Sequence, residues 1–369
     1  IFVSYLLLPT FYKQKDIAKG LKIELQNKFD LDFRFSQDIN YNFFPKPHFT
    51  TVDTIIFEDG FEVSKIGKLK IFISLDNLFS FKDINVKDLI FENSNFNLNK
   101  KNYNFFIKFL KKNFKESNLT IKNGNIFFRN SEDEVLFINK ILKMRYYYDR
   151  NELKNIFYSN NEIFNIPFSM KTFFNKDGNK IFSQINLNLM KLKIDNVLTF
   201  NKEKKNGKSE FVLNKLKGTA EYEINKNSLN FHVFDNLDEN SINYKGKFNF
   251  KPFYASLDGD VEKINLNYFF GYNAIIAQFL KTEIFNNENI DFKLNINSAN
   301  VYNNFNFKNI NIKSKIQDGL IDTDNTKFEW RDFANFELVD TLIFVRNGEL
   351  VLDGKLKIDI INYKKLYTF

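Results

Sequence analysis

From Leu31 onward, apolar residues fall on every second position along most of the chain. "LDFRF" alternates Leu31, Phe33 and Phe35, and "LKIFISL" alternates Leu69, Ile71, Ile73 and Leu75. "INVKDLIF" begins with Ile84 and Val86, and "INLNL" carries Leu187 and Leu189. "IDFKLNI" gives Phe292, Leu294 and Ile296, "FNFKNINIKSKI" gives Phe305, Phe307, Ile310 and Ile312, and "LVLDGKLKIDI" closes the series. The intervening residues are Asn, Lys, Asp and Ser. A period of two puts one set of side chains on each face of a strand, so each strand has a dry and a wet face. On the order of fifteen such strands are predicted, more than one compact sandwich core holds.

Three stretches carry a helical period instead. In "YKQKDIAKGLKIELQNKFD", Ile17, Leu21, Leu25 and Phe29 make a stripe at four-residue spacing. That stripe belongs to an amphipathic helix, which either caps the end of a sheet or lies on a membrane. "NYNFFIKFLKKNFKES" sets Phe105, Phe106, Phe109, Leu110 and Phe114 against Lys108, Lys111, Lys112 and Lys115. "NLNYFFGYNAIIAQFLKT" gathers Phe269, Ile276, Phe279 and Leu280. Both read as helices that cover apolar sheet, and the first could also touch anionic lipid.

Local punctuation adds detail. In "YNFFPKPHF", Pro45 and Pro47 prevent strand pairing in mid-sheet and predict a corner with aromatics around it. Asn123-Gly124 in "LTIKNGNIFF" predicts a hairpin turn between Leu119, Ile121 and Ile126, Phe128. "YYYDRNELKNIFYSNNEIFNIPF" reads as two strands around a turn near Asp149–Asn151, with a short helix from Glu152 to Tyr158 as the competing reading. The N-terminal "IFVSYLLLPTF" is uncharged and apolar, and a spanning helix needs roughly 20 such residues. Phe2, Val3, Leu6, Leu7 and Leu8 are therefore read as the end of a truncated transmembrane anchor. The alternative is an ordinary buried segment.

Composition narrows the class. The chain has 47 Phe and is 43% hydrophobic, enough to build a core and to exclude a disordered chain. The net charge of +8 is spread over 53 basic and 45 acidic residues. The densest basic run, Lys202–Lys208, reads as a solvated loop. Alternation places aromatics and lysines on opposite faces, which separates base stacking from phosphate contacts and argues against nucleic acid. The absence of cysteine excludes disulfides, thiolate catalysis and Cys-ligated zinc. His48 and His232 have no converging partners in sequence, and "DTDNT" (322–326) lacks the glycine and glutamate of a calcium loop. "FEWRDF", with Trp330, reads as a strand. Neither a cofactor nor an enzymatic activity is expected.

The order of these parts resembles the N-terminal region of AsmA-family proteins of Gram-negative bacteria. The likeness rests on "IAKGLKIELQNKFDLDFRF", the "YNFFPKPHF" corner, "KIGKLKIFISLDNLFSFKDINVKDLIFENSNFNL" and "LTIKNGNIFFRN". Pro45, Pro47, Leu69, Ile71, Leu75, Ile84, Val86, Leu89, Asn123 and Gly124 stand where the family patterns put them. The match is clearest over residues 17–130. The resemblance implies a single-pass anchor in the inner membrane and a body in the periplasm. It implies kinship with bridge-like lipid transfer proteins that act in outer-membrane lipid balance.

The resulting expectation is a mainly β (α+β) protein. A long, strongly twisted antiparallel sheet curls into a hydrophobic groove, with an N-terminal helix cap and a few covering helices. Residues 1–12 form the anchor, 13–130 the AsmA-like module and 131–369 the continuing groove. Phospholipid or another acyl lipid lies along Phe33, Phe35, Leu69, Ile71, Ile73, Leu75, Ile84, Val86, Ile121, Ile126, Phe128, Leu187, Leu189, Phe292, Leu294, Ile296, Ile310 and Ile312. The inner membrane and outer-membrane or envelope proteins are the further partners. The competing expectation is an envelope scaffold or outer-membrane protein assembly factor whose dry face is packed internally. An outer-membrane barrel fits less well, given the irregular strand lengths and internal helices.

Overall fold

A computed structural model describes residues 2–35, 39–58, 60–76, 78, 84–99, 101–111, 117–130, 132–175, 177, 179–200, 205–213, 216–234, 242–250, 253–265, 291–317, 320–346 and 349–368. The protein is mainly β, 68% strand against 14% helix, so strand pairing carries the fold. It divides into two compact units: residues 1–163 with 167–185, and residues 164–166 with 186–369. The expected helix around Phe269 to Leu280 lies outside the described residues.

Unit 1 opens with α1 (Phe2–Leu7), a 3-10 turn (Leu8–Phe11) and α2 (Gln14–Phe29). Short strands β1 (Asp32–Arg34) and β2 (Asn40–Asn42) follow, then β3 (His48–Glu58), β4 (Phe61–Ile73) and β5 (Val86–Leu98). Helix α3 (Tyr103–Lys111) leads to β6 (Asn118–Arg129), β7 (Val135–Asp149), β8 (Lys154–Ile163), β9 (Ile166–Phe174) and β10 (Lys180–Leu187). Both β1 and β2 pair with β3, and the ladder continues β3–β4–β5–β6–β7–β8. The β5–β6 pair is parallel, so the sheet is mixed, not purely antiparallel as expected. A parallel pair needs a crossover, and α3 supplies it.

The α2 stripe caps the sheet: Ile17, Leu21, Leu25 and Phe29 are all buried. The β7–β8 turn forms at residues 150–153, as one of the two sequence readings has it. The Asn123-Gly124 expectation is corrected. Strand β6 runs unbroken through both residues, and Asn123 is a left-handed residue within it (φ 54°). Asp53 (φ 47°) in β3 and Asn93 (φ 55°) in β5 do the same. By register these three align in one cross-strand row that also passes Gly67 and Leu142. Asp and Asn tolerate the left-handed region better than other non-glycine residues. Each strand shifts its buried set by one position there: Leu89 and Phe91 before Asn93, Ser94 and Phe96 after it. The seam thus keeps one face dry while the sequence alternation slips.

The anchor expectation is overturned. Among the described residues no helix is long and apolar enough to cross a membrane. Helix α1 has six residues and passes into a turn containing the buried Pro9. Its Tyr5 and Leu6 pack against the core of unit 1. The single-pass anchor expected over Phe2, Val3, Leu6, Leu7 and Leu8 is therefore not seen among the described residues, and the inner-membrane, periplasmic placement built on it is withdrawn.

Unit 2 contains β11 (Leu192–Phe200), β12 (Lys205–Leu213), β13 (Leu216–Ile224), β14 (Ser228–Phe234), β15 (Ile242–Phe250) and β16 (Phe253–Ile264). It continues with β17 (Phe292–Val301), β18 (Asn304–Gln317), β19 (Leu320–Asp322), β20 (Lys327–Trp330), β21 (Ala334–Arg346), β22 (Glu349–Ile360) and α4 (Tyr363–Tyr367). Consecutive strands pair antiparallel from β11 to β16, β16–β17 is parallel, and β17–β18 is antiparallel. Strands β19 and β20 both bridge β18 to β21, which pairs with β22. The basic run expected to be a loop is strand from Lys205 onward, while residues 201–204 lie outside the described set. Trp330 ends β20, in keeping with the strand reading of "FEWRDF".

Candidate functional site

The two units treat their dry faces differently. In unit 1 the face is closed. Phe49, Ile71, Leu89, Leu119 and Tyr146 form one cross-strand row over five strands, and all are buried. Helix α3 lays Phe105, Phe106, Phe109 and Leu110 against the same core. Between α3 and the sheet remains a wholly apolar cavity of about 200 Å³, bordered by Phe96, Leu98, Ile126 and Phe157 among others. The Tyr146 hydroxyl donates to the Leu110 carbonyl at 2.6 Å, tying the helix end to β7. Burial pushes that phenol's pKa up.

Most expected lining residues of this unit are therefore core. Phe33, Leu69, Ile71, Ile73, Ile84, Val86 and Ile121 are buried within the closed cluster. Phe35 and Ile126 pack on its margin, and Phe128 is half-buried and stacks on Phe137 with centroids 4.4 Å apart. Leu75 is 43% exposed, beyond the end of β4. Around the buried ones, helices and neighbouring strands fill the space, and Ile121 and Ile126 border the apolar cavity beneath α3. Pro45 is exposed and Pro47 buried, with the Pro47 carbonyl accepting from Ile73 N–H at 3.1 Å. The corner thus closes the end of the β3–β4 pair.

In unit 2 the dry face stays open among the described residues. One cross-strand row runs Leu198, Gly207, Tyr222, Phe231, Gly246, Leu257 and ends on Leu294. A neighbouring row carries Val233, Tyr244, Gly259, Ile296 and Ile312. Tyr222, Phe231, Leu257, Leu294 and Ile312 are only half-buried. Ile296 and Ile310 belong to a small buried cluster with Val261, Ile264 and Val301. Phe292 and Leu187 are half-buried, while Leu189 is 37% exposed in a 3-10 turn.

Four glycines on this face each sit beneath an aromatic ring of the paired strand. A Cβ on Gly207 would meet the Tyr222 ring at 2.0 Å, on Gly218 the Phe211 ring at 2.4 Å, on Gly246 the Phe231 ring at 2.1 Å and on Gly259 the Tyr244 ring at 2.1 Å. The rings lie over bare backbone, which sets them flush with the sheet. Glycine otherwise weakens a strand, and a ring laid across it restores packing. Sequence reading missed these pairs. Their signal is a glycine on the dry parity with Phe or Tyr at the register partner, which only known pairing reveals.

One polar group is set into the dry face. Asn196 Oδ1 accepts from Tyr222 Oη at 2.7 Å and from Ser209 Oγ at 2.8 Å. Burial raises the pKa of Tyr222, against a smaller lowering by Asn196, and burial also raises that of Tyr244. The wet face is wholly different. Asn295 donates to Asp258 at 2.7 Å and Asn297 to Asp260 at 3.0 Å. The hollows of unit 2 open mainly among wet-face side chains: about 940 Å³ bordered by Lys208, Glu221, His232 and Lys245, and about 540 Å³ bordered by Asp258, Asn297, Lys313 and Asp324. The described dry face is thus a flush track and not the deeply curled groove expected, because its rings occupy the space above the glycines.

The remaining sequence candidates resolve as structural groups. His48 is buried, stacks on Phe72 at 4.9 Å and contacts the Lys46 carbonyl through Nδ1 at 2.8 Å. His232 contacts Asn243 at 2.7 Å. In "DTDNT", Asp322 accepts from Asp324 N–H and Asp324 from Thr341 N–H, as turn carboxylates do.

Fold and face together define a mainly β protein with, among the described residues, one closed apolar sheet face and one open one. No protein-family model matches the chain, and no curated protein matches it.

Proposed function

We propose that the protein binds lipid acyl chains along the dry face of unit 2 and acts as a lipid-binding or lipid-transfer protein. The reading is carried by one observation: a half-exposed apolar face continuous over the rows from β11 to β17, with aromatic rings laid flat along it. An acyl chain needs no specific partner atoms, only apolar surface removed from water, at about 0.8 kcal/mol per methylene. Sheet twist would wrap the face partly around such chains. Asn196 offers a polar contact for an ester or carboxyl end. The AsmA-like pattern at the N-terminus agrees with this reading and would place the activity in outer-membrane lipid balance.

A second reading is a scaffold or outer-membrane protein assembly role with an internally packed sheet. The closed core of unit 1 favours it for that unit. One experiment separates the two. The full chain is purified without detergent, extracted with organic solvent, and the extract is analysed by mass spectrometry. Stoichiometric acyl lipid is expected. A folded, monomeric, lipid-free protein would sink the lipid reading and leave the scaffold.

A further inference from the structure

The cavity beneath α3 in unit 1 is bordered by apolar side chains alone, with Ile56, Phe96, Ile126, Ile141 and Met144 on the sheet side. Polar residues nevertheless stand between them on the same sheet face. Ser64 pairs with Ile56 on one side and Phe96 on the other. Asn139 pairs with Ile126 and lies two positions from Ile141 on its own strand. Ser94 lies two positions before Phe96, and Thr54 two before Ile56, so both share that face. Thr54, Ser64 and Ser94 are 0% exposed and Asn139 8%. Among the described residues, Thr54 Oγ1, Ser64 Oγ, Ser94 Oγ and Asn139 Oδ1 have no hydrogen-bond partner. Buried polar groups are almost always paired, and leaving one unpaired is costly. A wall built for packing alone would carry apolar side chains at these positions. Several unpaired oxygens in one patch around a cavity point to a ligand that pairs with some of them.

Volume and chemistry restrict that ligand. A cavity of about 150 Å³ lined by Leu, Ile and Phe binds benzene. The volume here, about 200 Å³, holds in proportion about eight non-hydrogen atoms: one ring with a substituent or two. Among the described residues no charged side chain borders the cavity, so a charged ligand would lose its hydration without return. Asn139 Oδ1 only accepts, so the polar atom it meets is a donor, while the Ser64 and Ser94 hydroxyls can give or take a second bond. An acyl chain has no donor along its length and would leave these oxygens unpaired.

We infer that the cavity beneath α3 binds a compact neutral molecule with one apolar ring and one hydroxyl donor, phenol being the simplest of the class. The ring packs against Phe96, Ile126, Ile141 and Met144, and the hydroxyl reaches between Ile126 and Ile141 to Asn139 Oδ1. The site lies within unit 1 and does not rest on the acyl-chain track of unit 2. Phe105, Phe106 and Phe109 are only half-buried over it, which gives a small molecule a way in from the helix side.

The chain has three methionines, Met144, Met170 and Met190, and of these Met144 borders the cavity. Methyl NMR of the full chain, with Met144 assigned through Met144→Leu, therefore reads this site apart from the rest. Phenol and toluene, equal in size, are titrated in parallel. Phenol is expected to move the Met144 methyl while Met170 and Met190 stay in place. Asn139→Leu removes an unpaired buried oxygen, so its unfolding midpoint should not fall. It should still bind toluene and weaken phenol by about ten-fold, the loss of one hydrogen bond. Ile126→Phe fills the space and should abolish both shifts; Leu98→Phe, at the half-buried end of β5, takes its place if circular dichroism shows Ile126→Phe unfolded. The inference falls if phenol leaves Met144 unmoved, if all three methyls move together, or if Asn139→Leu binds phenol as tightly as wild type. It also falls if octanoate, an acyl-chain probe, moves Met144 at lower concentration than phenol does. A lowered midpoint for Asn139→Leu would make Asn139 a structural group and overturn the role given to it.

Discussion

A buried charge separates the two dry faces most sharply. Ile71 lies in the closed row of unit 1, fully buried between Phe49 and Leu89. Replacing it, Ile71→Asp, removes a core side chain worth about 1.5–3 kcal/mol. The new carboxyl must also be neutral in that site. Its ordinary pKa of about 3.9 means that protonation at pH 7 costs about 4 kcal/mol, and an unpartnered buried carboxyl adds about 1–3 kcal/mol. The sum, about 7–10 kcal/mol, matches the whole stability of an ordinary domain. Unit 1 should therefore unfold at pH 7. The carboxyl's folded pKa is raised, so the penalty grows as pH rises from about 4, and the variant should recover about 4 kcal/mol on acidification. Leu257→Asp places the same charge on the half-exposed track of unit 2, where water solvates it. That variant should keep its fold and lose co-purifying lipid. Urea unfolding followed by circular dichroism, with lipid quantified in parallel, reads both. A folded Ile71→Asp protein with unchanged midpoint and lost lipid would refute the closed core and return Ile71 to the lining of an open space.

Three further outcomes follow from the same geometry. Gly246→Ala would set a Cβ 2.1 Å from the Phe231 ring, so the ring must lift from the sheet; a loss of about 1–3 kcal/mol and stronger binding of an apolar dye are expected by equilibrium unfolding and fluorescence. Gly124→Ala meets backbone, the Ser94 carbonyl at 2.9 Å, which cannot swing away, and should lower the unit 1 unfolding midpoint by a similar amount. Tyr146→Phe should cost about 1 kcal/mol at neutral pH through the lost bond to the Leu110 carbonyl. The Tyr146 phenol titrates above its ordinary 10.0 in the fold, so its contribution is complete below pH 10 and is lost as pH climbs past that value. Wild-type stability should therefore fall more steeply than that of the Phe variant between pH 10 and 11.

Alternation and the α2 stripe were legible from sequence because each depends on one segment's own period. Ile17, Leu21, Leu25 and Phe29 needed no knowledge of a partner to be recognised as one face. What failed depends on two segments at once. Asn123-Gly124 interrupts the alternation between Ile121 and Ile126, and a turn or a left-handed residue inside a strand produces the same interruption. The aligned breaks at Asp53 and Asn93 decide between them, but alignment exists only after pairing. The glycine–aromatic pairs are hidden for the same reason: Gly207 and Tyr222 are fifteen positions apart and become partners through register alone. The apolar run before Pro9 failed differently. Six mostly apolar residues in one turn-and-a-half of helix look alike whether lipid or protein covers them, and here Tyr5 and Leu6 pack against protein. Within the candidate site, Leu294, Ile296 and Ile312 share one face by register, whereas which faces are covered was not readable from strands alone.

Coverage is in fact where the units diverge, since their strands follow one grammar. In unit 1 the segments that leave the sheet return as helices: α2 precedes it, and α3 fills the parallel crossover from β5 to β6. Their apolar stripes lie on the dry face and exclude water. From β11 to β16 the connections are short hairpin links, too short to carry a covering helix. Residues 266–290, between β16 and β17, lie outside the described residues; among the described residues this dry face has no cover, and such a face exposes apolar area unless something fills it. Laying rings over Gly207, Gly218, Gly246 and Gly259 lowers that exposure by making each aromatic pack against backbone, yet Phe248 is still 36% exposed and Leu257 half-exposed. A sequence selected only for a stable fold would remove such exposure by placing polar residues on both faces, as the wet face already does with Asn, Lys and Asp. In the proposed reading an acyl chain covers the row of Leu198, Phe231, Leu257 and Leu294, and a flush row with no pocket for a fixed shape suits a flexible chain better than a rigid ligand.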